Sequence, residues 1–152
     1  MNLVDLFPAE RIFVNVDVAT PKELFNFLSE RAGELGVVSR QPCVRALAAR
    51  EELGSTGLGN GIAIPHARIE NLKSTIGLLA TLSRPIDFEA VDQEPVDVVL
   101  MLLMPDQAGG DQMKVLSRIA RMARQEPLIN GLRRAGSVDD VLDILRHADE
   151  DI

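Results

Sequence analysis

The side chain best suited to chemistry near neutral pH is His66, and the residues before it are suited to holding an anion. Imidazole has an ordinary pKa close to 7 and is a good nitrogen nucleophile. His66 follows an eight-residue stretch, residues 54–61, that contains four glycines. Glycine lets backbone N–H groups approach a bound phosphate closely. This combination predicts a nucleophile beside an anion-binding loop.

Further polar residues near this loop extend the predicted site. Hydroxyl groups can donate to phosphate oxygens, and the backbone of the loop can do the same. The candidate phosphate-binding residues are Ser55, Thr56, Gly59, Asn60 and Gly61. Arg50 lies at the end of the preceding predicted helix, where its planar guanidinium could neutralise a phosphate. Together these residues predict a site for phosphoryl transfer onto nitrogen, a reaction that relies on positioning and on charge stabilisation.

Taken alone, the pattern leaves other interpretations open. A glycine-rich stretch is often only a turn, and a single histidine is often structural. The loop lacks the residue order of a P-loop and of a hydrolase nucleophile elbow, so neither nucleotide binding nor that hydrolase class is indicated. The second histidine, His147, is far along the chain. We therefore predict no metal site and no cofactor.

The first third of the chain contains the elements that must present Arg50. Residues 11–18 alternate loosely and predict a strand. Thr20 and Glu23 form a capping-box pattern around Pro21, which predicts an amphipathic helix over residues 21–35 with Leu24, Phe27, Leu28 and Leu35 on its buried face. A second helix is predicted from Ser39 to about Leu53, and Arg50 is in its last turn.

The remaining segments predict the fold class. Residues 62–67 form a short extended segment broken by Pro65, and residues 75–83 and 96–104 are apolar runs typical of strands buried on two faces. Three helices follow, over about residues 111–124, 126–134 and 137–146. This order predicts an α/β protein with a mixed sheet between helices on both faces, as one domain over residues 1–152.

Charge and composition exclude several functional classes. The net charge of −7 repels nucleic-acid backbones, so a nucleic-acid partner is not expected. The single cysteine cannot form an internal disulfide, which suits a reducing compartment. No signal peptide is evident, and the longest apolar run is interrupted by Asp97. We predict a cytoplasmic chain without membrane insertion.

The active-site segment resembles that of enzyme IIA proteins from the fructose, mannitol and nitrogen-regulatory group of the phosphotransferase system. The resemblance is carried by Arg50-Glu51 and by the run Gly54-Ser55-Thr56-Gly57-Leu58-Gly59-Asn60-Gly61-Ile62-Ala63-Ile64-Pro65-His66. A second similar segment is Phe88-Glu89-Ala90-Val91-Asp92 with Pro95-Val96-Asp97. The resemblance implies that His66 is phosphorylated on Nε2 by an HPr-type phosphocarrier. It also implies that Arg50 lies beside the active site and that Ser55 and Thr56 lie on the phosphate side.

One position departs from the family pattern. The family commonly carries a second active-site histidine early in the helix after the last long strand, and that register falls on Gln112. A glutamine can donate a hydrogen bond to a phosphate oxygen or to the His66 ring, but it cannot carry a charge. Gln112 is therefore a third candidate catalytic residue. The change puts onward transfer of phosphate in doubt and leaves acceptance of phosphate plausible.

The resemblance is greatest to the nitrogen-regulatory branch and implies a phosphotransferase component without small-molecule turnover of its own. Phosphate on His66 would then regulate protein targets such as kinases or transporters. Two alternatives stay open. One is a sugar-transport enzyme IIA that passes phosphate to a separate sugar-specific subunit. The other is a regulatory binding module that acts by contact alone.

Overall fold

The structure, a computed structural model, describes residues 2–107 and 110–150, and for residues 110 and 111 it describes the backbone only. The helices are α1 Leu3–Leu6, α2 Pro21–Glu34, α3 Arg40–Glu52, α4 Gly110–Met122, α5 Glu126–Arg134 and α6 Val138–Glu150. The strands are β1 Ile12–Val16, β2 Gly57–Gly59, β3 Ile62–Ala63, β4 His66–Ile69, β5 Ile76–Ile86 and β6 Val96–Pro105. A short 3-10 turn, Ala9–Arg11, precedes β1.

All six strands form one mixed sheet in the order β1-β5-β6-β3-β2, and β4 also pairs with β6. β6 runs antiparallel to β5 on one side. On its other side it runs parallel to β3 and then to β4. β6 therefore holds both the strand before His66 and the strand that begins with His66.

Helices cover both faces of this sheet, which confirms the predicted fold class. The side chains of β6 alternate between two apolar clusters: Met101 and Leu103 face α2 and α3, whereas Leu100 and Leu102 face α1 and the last three helices. All four side chains are fully buried. This double burial explains why residues 98–104 are all apolar, with no alternation of polar side chains.

The predicted cap of the first long helix is present. The Oγ1 atom of Thr20 accepts a hydrogen bond from the backbone N–H of Glu23 over 3.2 Å. The Glu23 carboxylate accepts from the backbone N–H of Ala19 over 2.7 Å, one residue earlier than an ideal capping box. α2 therefore begins at Pro21, as predicted.

The sequence prediction of the buried face of α2 is partly wrong. Leu24 and Leu28 are buried as expected, but the third large buried side chain is Phe25. Phe27 lies at the margin of the core, where its ring packs edge-on against Phe13. Leu35 is 44% exposed and stands just beyond the helix as its C-cap residue.

The sequence predicts a loop for the glycine-rich segment, but part of this segment forms regular strands. Residues 57–63 form an antiparallel hairpin of β2 and β3. The positive φ angles of Gly59, Asn60 and Gly61 form its turn, a conformation that glycine and asparagine adopt most readily. Pro65 then separates β3 from β4, and its carbonyl accepts from the backbone N–H of Leu102 over 2.9 Å. The extended segment, predicted to be broken by Pro65, therefore consists of two strands that share β6 as their partner.

Within the described ranges, the structure contains no helix long and apolar enough to cross a membrane.

Candidate active site

His66 is the first residue of β4, in register with Leu102 of β6, and its side chain is partly buried. The ring nitrogen Nδ1 lies 2.9 Å from the backbone carbonyl oxygen of Ile64. A carbonyl oxygen can only accept a hydrogen bond, so Nδ1 must carry the ring proton in the neutral imidazole. The lone pair that can react is therefore on Nε2.

Arg50 reaches this lone pair from the last turn of α3. Its Nε–H donates to Nε2 of His66 over 3.2 Å, and Nη1 donates to the backbone carbonyl of Gly54 over 2.9 Å. The structure thus brings together His66 and Arg50, as the sequence predicted. The guanidinium stands beside the nucleophilic nitrogen, where it can pair with the oxygens of an arriving phosphoryl group.

The surroundings keep the His66 ring neutral. Burial lowers the pKa of His66 below its ordinary value, because a partly desolvated site disfavours the charged imidazolium. The hydrogen bond to the Ile64 carbonyl opposes this shift in pKa, the positive charge of Arg50 adds to it, and the negative charge of Glu51 opposes it. The lowered pKa of His66 favours the neutral ring, in which Nε2 is unprotonated.

Ser55 and Thr56 lie near the site, but their hydroxyl hydrogens point into the protein. Ser55 Oγ donates to the backbone carbonyl of Phe88 and accepts from the backbone N–H of Gly57. Thr56 is 4% exposed, and its Oγ1 donates to the Glu51 carboxylate over 2.7 Å. In this structure neither hydroxyl presents a free hydrogen to a phosphate. Both hydroxyls instead hold the start of the hairpin in place.

The hairpin turn of Gly59, Asn60 and Gly61 is not brought to His66. The carbonyl of Gly61 accepts hydrogen bonds from the first part of β6, at Asp97 and Val98, whereas His66 is in register with Leu102. Five residues of strand separate these positions by about 16 Å. The structure therefore does not place the backbone of this turn beside the His66 ring.

The polar groups of the turn have partners of their own. Asn60 donates its backbone N–H to Asp92 and accepts from Arg133 at its carbonyl. Arg133 also pairs with Asp97 over 2.7 Å. These contacts fasten the turn to α5 and to the start of β6. In this structure, the glycines of the turn shape a hairpin.

Gln112, near the start of α4, is 7% exposed. Its Nε2 donates to the backbone carbonyl of Gln107 over 2.6 Å. Its Oε1 is buried and has no hydrogen-bond partner among the described residues. No hydrogen bond between Gln112 and His66 is present in the described part of the chain. Gln112 thus contributes to the turn between β6 and α4, and its predicted contact with the ring is not formed here.

Two further groups at the site were not predicted from the sequence. One is the backbone carbonyl of Ile64, which no side-chain motif could reveal. The other is Glu51, whose carboxylate accepts from both the backbone N–H and the hydroxyl of Thr56. The only signal for Glu51 was its place beside Arg50 in the resembling segment.

Comparison with known proteins identifies the family. The family model "Phosphoenolpyruvate-dependent sugar phosphotransferase system, EIIA 2" matches residues 5–148. A nitrogen regulatory protein of Bradyrhizobium diazoefficiens is 38% identical over 145 residues, which cover 95% of each chain.

Solved structures agree with this match. The crystal structure of nitrogen regulatory protein IIA-Ntr from Neisseria meningitidis superposes with a TM-score of 0.86 at 33% identity, over 93% of this chain and 97% of that one. Enzyme IIAMTL of Escherichia coli, solved in complex with phosphorylated enzyme IIBMTL, superposes with a TM-score of 0.78 at 25% identity, over 93% of this chain and 99% of that one. The resemblance noted in the sequence is confirmed: the chain belongs to the EIIA 2 family of the phosphoenolpyruvate-dependent sugar phosphotransferase system and is a phosphotransferase component of the kind represented by the nitrogen regulatory proteins.

Proposed function

We propose that this chain, as one IIA domain over residues 1–152, accepts phosphate from an HPr-type phosphocarrier onto Nε2 of His66. We also propose that it acts in the cytoplasm and regulates partner proteins according to its phosphorylation state. The observation that carries the proposal is the orientation of the ring. Nδ1 is bonded to the Ile64 carbonyl, and Nε2 stands free of hydrogen beside the Arg50 guanidinium.

The transfer step follows from this geometry. The Nε2 lone pair attacks phosphorus and forms a new N–P bond, while the bond between phosphorus and the leaving atom of the carrier breaks. The proton on Nδ1 stays in place, and its bond to the Ile64 carbonyl supports the positive charge that develops on the ring. No general base is needed, because the attacking nitrogen carries no hydrogen. Positioning and charge stabilisation supply the catalysis, as in other phosphoryl transfers.

Arg50 has to change its hydrogen bond during this step. In the resting site its Nε–H occupies the same lone pair that must attack phosphorus. An arriving phosphoryl group offers stronger, charged acceptors, so the guanidinium exchanges Nε2 for phosphate oxygens. Arg50 therefore holds the neutral ring before transfer and neutralises the phosphate during and after transfer.

Gln112 favours the regulatory function over sugar transport. It takes the place of the histidine that sugar-transporting relatives use in onward transfer, and an amide cannot titrate or become a cation. Its donor is also bonded to the Gln107 carbonyl. The alternative of a contact-only module is disfavoured by the Arg50–His66 pair, because such a module needs no nucleophile. A phosphate that stays on His66 adds about −1.5 to −2 charges, which can change partner binding.

We further propose that the donor docks over Leu53. This side chain is 85% exposed and lies next to Gly54, whose carbonyl binds Arg50. Leu58 of the hairpin is also exposed, at 47%. A carrier of ordinary interface size, about 800 Å² per partner, that reaches Nε2 covers the surface around Arg50, where Leu53 lies. Exposed apolar side chains at this place suit a transient protein interface.

Phosphate acceptance by His66 is the first expectation. The purified chain, incubated with phosphoenolpyruvate, the general phosphotransferase enzyme and an HPr-type carrier, is expected to gain one acid-labile phosphate in intact-mass spectra at alkaline pH. His66→Ala is expected to gain none, because the nucleophile is missing. His147→Ala removes the other histidine and is expected to gain phosphate normally. If the parent stays unlabelled while a known enzyme IIA in the same tube is labelled, the contact-only module is the better account.

The pKa of His66 is expected to depend on Arg50. In an NMR titration of the chain alone, His66 should titrate below the ordinary value of 6.5. The rate of phosphate acceptance should fall as the pH falls through this pKa, since protonation removes the Nε2 lone pair. Arg50→Gln removes a positive charge and is expected to raise the pKa, whereas Arg50→Lys keeps the charge and should raise it less. An unchanged or lower pKa in Arg50→Gln would show that the two side chains do not interact in solution.

Docking over Leu53 can be tested with a matched pair of variants. Leu53 and Leu35 are both exposed C-cap residues of helices, with similar backbone angles, and each precedes a glycine. Leu35 precedes α3 in the chain, and the first residue of α3, Arg40, lies about 15 Å along that helix from Arg50. Leu53→Ser is expected to reduce kcat/KM for transfer from the carrier about tenfold, a typical effect for one central interface residue. Leu35→Ser should leave it unchanged, and equal effects of both substitutions would refute this docking site.

A further inference from the structure

We propose that Glu51 is a positioning residue that fixes the reactive tautomer of His66 through Thr56 and the backbone carbonyl of Ile64. The inference rests on the proposed phosphoryl transfer to Nε2 and assigns a task to a residue that the transfer step itself does not touch. Glu51 belongs to α3, on which it directly follows Arg50. The two neighbours thus act on opposite sides of the ring: Arg50 contacts Nε2, and Glu51 acts on the Nδ1 side.

A continuous series of hydrogen bonds joins the Glu51 carboxylate to the ring. One carboxylate oxygen accepts from Oγ1 of Thr56 over 2.7 Å, and the other accepts from the Thr56 backbone N–H over 3.0 Å. The Thr56 carbonyl accepts from the backbone N–H of Ile64 over 3.0 Å. The Ile64 carbonyl accepts from Nδ1 of His66 over 2.9 Å. The carboxylate therefore holds Thr56 in place, and Thr56 holds Ile64 through a backbone hydrogen bond.

This anchor matters because Thr56 and Ile64 lie opposite each other at the open end of the β2–β3 hairpin. Thr56 precedes β2 and follows the turn of Gly54, which has a positive φ angle. Ile64 follows β3 and precedes Pro65, which has no N–H to hold the chain on its own side. Without the carboxylate, Thr56 would have only its carbonyl bond to Ile64, and the position of the Ile64 carbonyl would be less strictly determined.

The hydrogen bonds that the Glu51 carboxylate accepts from Thr56 are strong. A carboxylate that accepts from two donors of one residue forms charge-assisted bonds with fixed geometry. Thr56 is 4% exposed, so water cannot readily replace the carboxylate. Small displacements at a reacting centre are costly: a shift of about 1 Å can slow a reaction about a hundredfold. Loss of the anchor should therefore affect the ring although Glu51 does not contact it.

The sequence offers a matched control in the next residue. Glu52 is in the same last turn of α3 and is exposed, and its side chain forms no hydrogen bond or ion pair with any residue of the described ranges. Glu51→Gln and Glu52→Gln remove the same charge from adjacent positions. Only the first removes the anion that Thr56 binds. Thr56→Val and Thr56→Ser form a second pair, since serine retains the hydroxyl and valine does not.

The test measures the ring of the unphosphorylated chain and the transfer rate separately. Nitrogen-15 shifts of the His66 imidazole, recorded above its titration, give the fraction with hydrogen on Nδ1. We expect this fraction to be close to one in the parent, in Glu52→Gln and in Thr56→Ser. We expect it to be lower in Glu51→Gln and Thr56→Val. Phosphate acceptance should slow about ten- to a hundredfold in the latter two.

Each result decides the question. An unchanged tautomer in Glu51→Gln would overturn the proposal, and slower transfer with an unchanged tautomer would make Glu51 a merely structural or docking residue. If Glu51→Gln does not fold, the Thr56→Val and Thr56→Ser pair still separates the outcomes. The tautomer is measured without any donor. Failure of the parent to accept phosphate would therefore count against the proposed function and not against the positioning by Glu51.

Discussion

The hydrogen bond between Nδ1 of His66 and the carbonyl of Ile64 decides which ring nitrogen can react. A neutral imidazole carries one hydrogen, and a carbonyl acceptor at Nδ1 places it there. Partial burial keeps the ring neutral by lowering the pKa of His66. The same bond would stabilise the charge that builds up when Nε2 attacks. Tautomer, protonation state and direction of attack therefore depend on the position of one backbone carbonyl.

The fold holds that carbonyl from two directions. Strand β6, buried on both faces, pairs with the chain before and after Pro65 and so fixes the two segments that flank Ile64. Helix α3 approaches the same place from one face of the sheet and supplies Arg50 and Glu51 in its last turn. One side chain contacts Nε2, and the other binds Thr56, whose carbonyl holds Ile64. The reactive ring lies where a rigid strand and a helix end meet.

The sequence was sufficient for the fold class and for the pairing of His66 with Arg50, because apolar runs, helix caps and a long family motif indicate them directly. It was insufficient for the hydrogen-bond partners inside the motif. Glycine density indicates unusual backbone angles and does not say whether they form an anion site or a hairpin turn, and the structure shows Gly59 and its neighbours in a hairpin turn. Hydroxyl groups such as that of Thr56 donate a hydrogen bond to the nearest strong acceptor, here Glu51. Only the three-dimensional structure reveals which acceptor that is.

The most direct test of the central claim is the position of the phosphate on the ring. The chain should be labelled with nitrogen-15 in its histidines, phosphorylated through the carrier and kept at alkaline pH. Phosphorus–nitrogen couplings and the ring nitrogen shifts then identify the bonded atom. The account predicts a single phosphohistidine at His66 with phosphorus on Nε2 and hydrogen on Nδ1. Phosphorus on Nδ1 would require the His66 ring to lose its hydrogen bond to the Ile64 carbonyl, and would contradict the account.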